Sequence, residues 1–280
     1  MSIDSARARR LILLAAVVGL VVRAAFGLVY WVGKPLTHDE QEYLALARSI
    51  AQGRGFVYDE AHDTGTAQQF GRAPAYPLFL TMIGAGGALH ETSPARVKVA
   101  QSVAGAVGVW LIGLIALRAA GPRAGAIAAL VAAVYPPLVW ICAYVLSEAL
   151  YSTLALCTVL LLDRAADRAA DARSSRAGGA LALIAGLLAS VAILTRPAML
   201  FFLPLAALWL AHRRRTILAV AFVVTTVAVM APWTARNFRA YDRFVLVASE
   251  GGVTFWTGNH PLAIGEGDLA ANPEIKRAEI

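Results

Sequence analysis

Three carboxylates and a histidine stand together in "PLTHDEQEY", residues 35–43, directly after the first long apolar run of the chain. Asp, Glu and His are the side chains best suited to take or give a proton near neutral pH. Part of the cluster has a plain structural explanation. Thr37 is of N-cap type and Glu40 stands three residues later, the pattern of a capping box. Acids in a first helical turn are also stabilised by the helix dipole, which accounts for Glu40 and Glu42. Asp39 is not needed by the cap. It stands four residues before Tyr43, beside an apolar stripe made by Tyr43, Leu46, Ala47 and Ile50. The spacing predicts a helix from about His38 to Gln52, ended by Gly53 and Gly55. Such a short striped helix just outside a membrane run should lie on the bilayer surface. Asp39 is then a candidate base at the lipid–water boundary, with His38 and Glu40 as candidate substrate contacts beside it.

Further chemistry-bearing residues are scattered along the chain. Arg72 opens "RAPAYP", a cation followed by two prolines, where the chain returns to apolar sequence. An Arg so placed can snorkel to lipid phosphates or hold one phosphate, and Tyr76 lies close by in the same motif. Glu148 in "YVLSEAL" lies between apolar runs with no basic residue near it in sequence. An ionisable group at membrane depth is costly and marks a functional position. Arg196 in "ILTRPAM" is followed by Pro197, which stops a helix and leaves the guanidinium able to face an anionic ligand. Arg23, midway along the first apolar run, must face the protein interior or find an acid. Asp59, Glu60, His62 and Asp63 are of metal-ligand type, but their spacing fits no ligand pattern and reads as a solvated loop. Cys142 and Cys157 sit inside apolar runs as small hydrophobes, which gives no disulfide or zinc framework.

The elements that must position these residues follow from composition. The chain is 59% hydrophobic and only 15% charged, with a mean hydropathy of +0.63. Apolar runs recur from residue 11 to residue 232, which makes an all-α, polytopic transmembrane helix bundle the expected fold. Candidate segments are 11–32, 76–90, 97–117, 124–141, 143–162, 178–194, 198–211 and 216–232. The first run continues past Arg23 to Trp31, too long for a cleaved leader, and is taken as a retained helix. The net charge of +7 is carried by Arg in short loops, a topology signal rather than a nucleic-acid surface. By that signal the N-terminus, "DRAADRAADARSSR" (163–176) and "HRRR" (212–215) are cytoplasmic, and residues 33–75, the Arg196 turn and residues 233–280 lie outside. "RAAGPR" (118–123) is also basic, and then segments 76–90 and 97–117 cannot both cross. Either 76–90 is re-entrant or interfacial, or the "VYPPLVW" break marks an incomplete span. No internal repeat supports an inverted-repeat transporter. The expected organisation is a membrane module, 1–232, including the outer loop 33–75, and an outer-face segment, 233–280.

Taken in order, these motifs resemble the GT-C class of membrane glycosyltransferases, the branch of protein O-mannosyltransferases, lipid A aminoarabinose transferases and RgtA/B/C/D-like bacterial enzymes. The resemblance rests on an Arg-containing first helix, "THDEQEYLALARSIAQGRGF", "GRAPAYPLFL", "YVLSEAL", "LTRPAMLFFLPLAALWL" and "APWTARNFRAYDRFVLVASEGGVTFWTGNHP". It implies inverting transfer of a sugar from a polyprenyl-phosphate donor to a glycan, lipid or protein acceptor hydroxyl. The reaction would take place on the outer face of a bacterial inner membrane. It further implies Asp39 as the base, kept ionised by nearby cations. Arg196 and Arg72 would meet the donor phosphate, and Glu148 would be the second acid, while His38, Glu40 and Tyr76 are secondary contacts. The resemblance names no cofactor and leaves a divalent metal open. Enzymes of this class usually run well beyond 280 residues, so the chain is expected to be a fragment, a truncated product or a minimal form needing a partner. Two other readings stand beside it. A secondary transporter or flippase for a lipid-linked or anionic solute would use Glu148, Arg23 and Arg196 along a pathway. A non-catalytic scaffold would use every polar feature as a cap, an anchor or a solvated loop.

Overall fold

The computed structural model describes residues 4–57, 71–170, 174–249, 251–259, 261 and 263. Among these residues the chain is an all-helical bundle. Five helices are long and apolar enough to cross a membrane: α1 (Ser5–Ala25, continued as a π-helical turn Phe26–Tyr30), α4 (Ala95–Ala120), α7 (Glu148–Arg168), α8 (Ser175–Thr195) and α10 (Thr216–Tyr241). Between them lie α2 (His38–Ala51), α3 (Ala75–Met82), α5 (Pro122–Val134), α6 (Pro136–Trp140) and α9 (Phe202–His212); α11 (Gly251–Gly258) follows α10.

Contacts at the two ends of the bundle resolve the path of the chain. Arg118, at the end of α4, pairs with Asp163 and Asp167 near the end of α7. At the opposite end the backbone N–H of Val145 donates to Glu40 Oε1 at 2.7 Å. The segment from Pro122 to Trp140 therefore traverses the bundle, although Pro136 and Pro137 break it into α5 and α6. Residues 197–212, a 3-10 turn Pro197–Phe201 and α9, traverse it too. Arg196 pairs with Glu148 at one end, and Arg213 lies 3.6 Å from Asp167 at the other. Among the described residues, five long helices plus these two give seven traverses. The stretch 76–90 is not among them: α3 is only 8 residues and packs beside α2 at the end that holds Val145. Residues 118–123, 163–168 and 213–215 meet at the other end. The start of α1 joins them, because Ile12 packs on Ala129 and a Cβ on Gly113 would strike it at 2.6 Å. The "VYPPLVW" break and the basic "RAAGPR" are both real features; the segment crosses in two pieces.

The break leaves a specific debt in hydrogen bonding. Pro136 and Pro137 have no N–H, so the carbonyls of Ala132 and Ala133 lose their helical donors. Arg23 fills both places: its Nη2 donates to Ala132 O and its Nη1 to Ala133 O, each at 3.0 Å. Its partner is thus backbone rather than an acid, and its side chain is fully buried. Gly105 makes room for it, since a Cβ there would sit 2.8 Å from Arg23 Nε.

α2 forms as its sequence predicts, with the Thr37–Glu40 capping box and left-handed Gly53 and Gly55 after it. Its stripe does not face lipid. Tyr43, Leu44, Ala47, Tyr76, Leu80 and Val145 form one buried cluster, so the helix is packed on protein across the end of the bundle. Gly86 permits that approach, because a Cβ there would lie 2.7 Å from the Ala47 carbonyl carbon. α10 also departs from expectation: it runs through Pro232 to Tyr241, past the predicted domain boundary. The chain then folds back along it. Trp233 Nε1 donates to Val247 O at 2.8 Å, and the buried Asn237 side-chain amide donates to Val245 O at 3.0 Å.

Candidate functional site

The end of the bundle that carries α2 holds most of the candidate residues, and it holds them in two ion-paired groups. In the first, Arg72 reaches across from the entry to α3. Its Nη2 lies 2.5 Å from Asp39 Oδ1, and its Nε donates to Glu42 Oε2 at 2.8 Å. The guanidinium lies over the Tyr43 ring, 5.0 Å from its centroid. His38 Nε2 stands 3.3 Å from the other oxygen of Glu42. Asp39 and Glu42 are three apart on one helix face, which is why a single planar guanidinium can bridge them. The Asp39 side chain is 53% exposed while Arg72 is 15% exposed, so the carboxylate is the accessible member of the pair.

In the second group Arg196 pairs with Glu148 Oε1. Arg196 caps the end of α8 in an extended conformation and Pro197 starts the following turn, as the sequence predicts. Glu148 is placed differently from expectation. It sits in the first turn of α7, with its side chain 37% exposed, at the end of the bundle rather than at membrane depth. Its apolar flank before that turn is the connecting segment 141–147, not a helix. The other carboxylate oxygen, Oε2, is buried and has no hydrogen-bond partner among the described residues.

The two groups are joined through buried side chains. Tyr43, beneath Arg72, donates its hydroxyl to Ser147 Oγ at 3.4 Å, and Ser147 immediately precedes Glu148. Tyr43 also meets Tyr76 edge-on at 4.8 Å. Tyr76 is fully buried and donates to Gln101 Oε1 at 2.9 Å. It underlies the site and is not open to a substrate, which corrects its expected role as a contact. Burial pushes its hydroxyl well above the ordinary tyrosine range, with Tyr43, Glu148 and Glu40 adding to the effect. It therefore stays a neutral donor. Tyr144 is likewise pushed up, first by burial and then by Glu40. Glu40 is corrected in the same sense as Tyr76. It is 2% exposed, and its oxygens are taken by Thr37 and Val145, so it ties α2 to the segment before α7.

Residues of the stretches 33–75 and 233–280 meet here. Arg236 Nη2 donates to Phe56 O at 3.3 Å, Phe56 packs edge-on against Trp233, and Val247 is buried with Ala73, Ala192, Ile193 and Met199. The fold-back after α10 thus braces the residues next to both Arg72 and Arg196. Residues Asp59, Glu60, His62 and Asp63 lie outside the described residues. Among the described residues no group of three or more His, Cys, Asp or Glu side chains is placed to hold a metal ion.

The sequence marks Glu42 only as a helix-start acid, and the structure puts it on Arg72. The signal was there in its spacing from Asp39. Ser147 and Gln101 were also missed; nothing in their local sequence announces a contact more than 20 residues away. Comparison with family models, with curated proteins and with solved structures finds no match for this chain.

Proposed function

We propose that the chain is a membrane glycosyltransferase of the GT-C class. It would move a sugar, with inversion, from a polyprenyl-phosphate donor to an acceptor hydroxyl at the end of the bundle that carries α2. The observation that supports this reading is the pairing of an exposed acid with a buried-side Arg, next to a second acid–Arg pair, at one end of a membrane bundle. An acceptor hydroxyl must lose a proton as it attacks the anomeric carbon, and the departing phosphate must be stabilised as it gains charge. Asp39 fits the first task. Arg72 holds Oδ1, and the carboxylate as a whole is 53% exposed. Arg72 and Glu42 then position the base, and the phosphate role assigned to Arg72 from sequence passes to Arg196. Arg196 meets Glu148 through Nη1, and its side chain is 40% exposed, which leaves the guanidinium open to a phosphate at the membrane face. The end with α2 is assigned to the outer face of a bacterial inner membrane, because Arg-rich segments crowd the other end.

The test is transfer of radiolabelled sugar from polyprenyl-phosphate donors in membranes containing the chain. Asp39→Asn should lower turnover by about 10²- to 10⁴-fold while donor lipid is still retained. Equal turnover in both would remove Asp39 from the mechanism. Absence of donor binding by the unaltered chain would sink the glycosyltransferase reading.

A further inference from the structure

At the opposite end of the bundle lies a cavity of about 570 Å³ that the proposed transfer reaction does not use. It is a cleft between α9 on one side and α4 with α7 on the other. Its walls are apolar, among them Ile115, Leu160, Phe202, Leu205 and Trp209, and charge is confined to its mouth, at Arg118, Asp163, Asp167 and Arg213. Leu205, which lines the cleft, and Leu208 on the next turn of α9 are 64% and 66% exposed, an apolar face that bilayer hydrocarbon suits in a membrane bundle. Water is a poor filling for such walls, because it needs several polar partners. A hydrocarbon chain suits them.

The mouth selects the headgroup. Both aspartates already have an oxygen on Arg118, so they offer little to a cationic head. Among the described residues, Arg213 is held by one 3.6 Å approach to Asp167 and by a place 5.6 Å over the Trp209 ring, and its side chain is 48% exposed. Its remaining donors point to a phosphate, and Arg214 and Arg215 follow it in the same turn. We propose that this cleft binds one anionic membrane phospholipid, with an acyl chain between α9 and α7 and its phosphate on Arg213. The site would anchor the short, loosely packed α9, and through it the turn at Arg196 where α9's traverse begins.

The chain is reconstituted whole into nanodiscs of unlabelled phosphatidylcholine, with small additions of lipid brominated on its acyl chain. Bromine quenches indole fluorescence on contact, and the Trp209 signal is the difference between the unaltered protein and Trp209→Phe. Brominated phosphatidylglycerol should half-quench Trp209 at a mole fraction about fivefold or more below that needed for brominated phosphatidylcholine. Arg213→Gln, checked for unchanged helix content, should abolish that preference and leave quenching by phosphatidylcholine as before. Equal potency of the two lipids, or a preference that survives Arg213→Gln, would overturn the proposal. So would a Trp209 shielded from both lipids in a cross-linkable dimer, which would make a second copy the occupant.

Discussion

Glu40 illustrates how much a single side chain can be asked to hold. One oxygen accepts from the backbone and hydroxyl of Thr37 and the other from the backbone N–H of Val145, more than 100 residues away. Removing it deletes the reciprocal half of the capping box, the bonds it accepts from Thr37, about 1 kcal/mol, and strands the buried Val145 N–H, a further ~1–3 kcal/mol. Glu40→Ala should therefore destabilise the protein by about 2–4 kcal/mol, measured by unfolding in detergent. A change below about 0.5 kcal/mol would mean that water or another group replaces both bonds. The capping half of this role was legible in the sequence, because Thr37 and Glu40 have a fixed spacing and local chemistry. The Val145 half was not, since a contact across the chain leaves no periodic trace. The same holds at Arg72: its charge and its prolines were visible, but its capture by Asp39 and Glu42 depends on how α3 docks against α2. The local sequence misleads at Glu148 for a related reason. Hydrophobic neighbours on both sides read as depth, whereas one neighbour is a connecting segment at the surface of the bundle.

At the scale of elements, the broken traverse α5–α6 and Arg23 explain one another. A helix interrupted by two prolines in an apolar setting exposes carbonyls that lipid cannot satisfy, and a buried guanidinium alone would be a severe cost. Together they cancel much of each other's penalty, with Gly19 and Gly105 supplying space. Sequence reading found each half, an Arg that must face inward and a "VYPPLVW" break, but could not join them across more than 100 residues. The pairing makes a prediction with its own control. Arg23→Met should cost roughly 2–4 kcal/mol, because two buried acceptors lose their donors. In the Pro136→Ala, Pro137→Ala background, where backbone N–H groups are available to Ala132 and Ala133, the same substitution should cost at least about 1 kcal/mol less. The coupling is read from a double-mutant cycle of unfolding midpoints. Additive effects would show that Arg23 serves something other than the break.

For the molecule as a whole, the decisive quantity is the number of traverses, because it determines which residues can share a face. Counting only the five long helices would place Glu148 and Glu40 on opposite sides of a membrane, yet the segment ending at Ser147 is bonded to Glu40. Seven traverses put both acid–Arg pairs on one side and the basic segments 118–123, 163–168 and 213–215 on the other, the Arg-rich end, where the apolar cleft also lies. This arrangement is testable without any assay of function. In a chain with Cys142 and Cys157 replaced by Ala, a single cysteine is introduced at the exposed Gln52 or at the exposed Ser175. Gln52→Cys should react with a membrane-impermeant maleimide on intact spheroplasts, and Ser175→Cys only after the membrane is opened. Reaction of both on intact spheroplasts would mean that an even number of the traverses between them cross, which would undo the count. The reverse pattern would keep the seven traverses but invert the protein. Asp39 and Arg196 would then face the cytoplasm, where the Arg-rich end was assigned, and a donor presented from outside could not reach them.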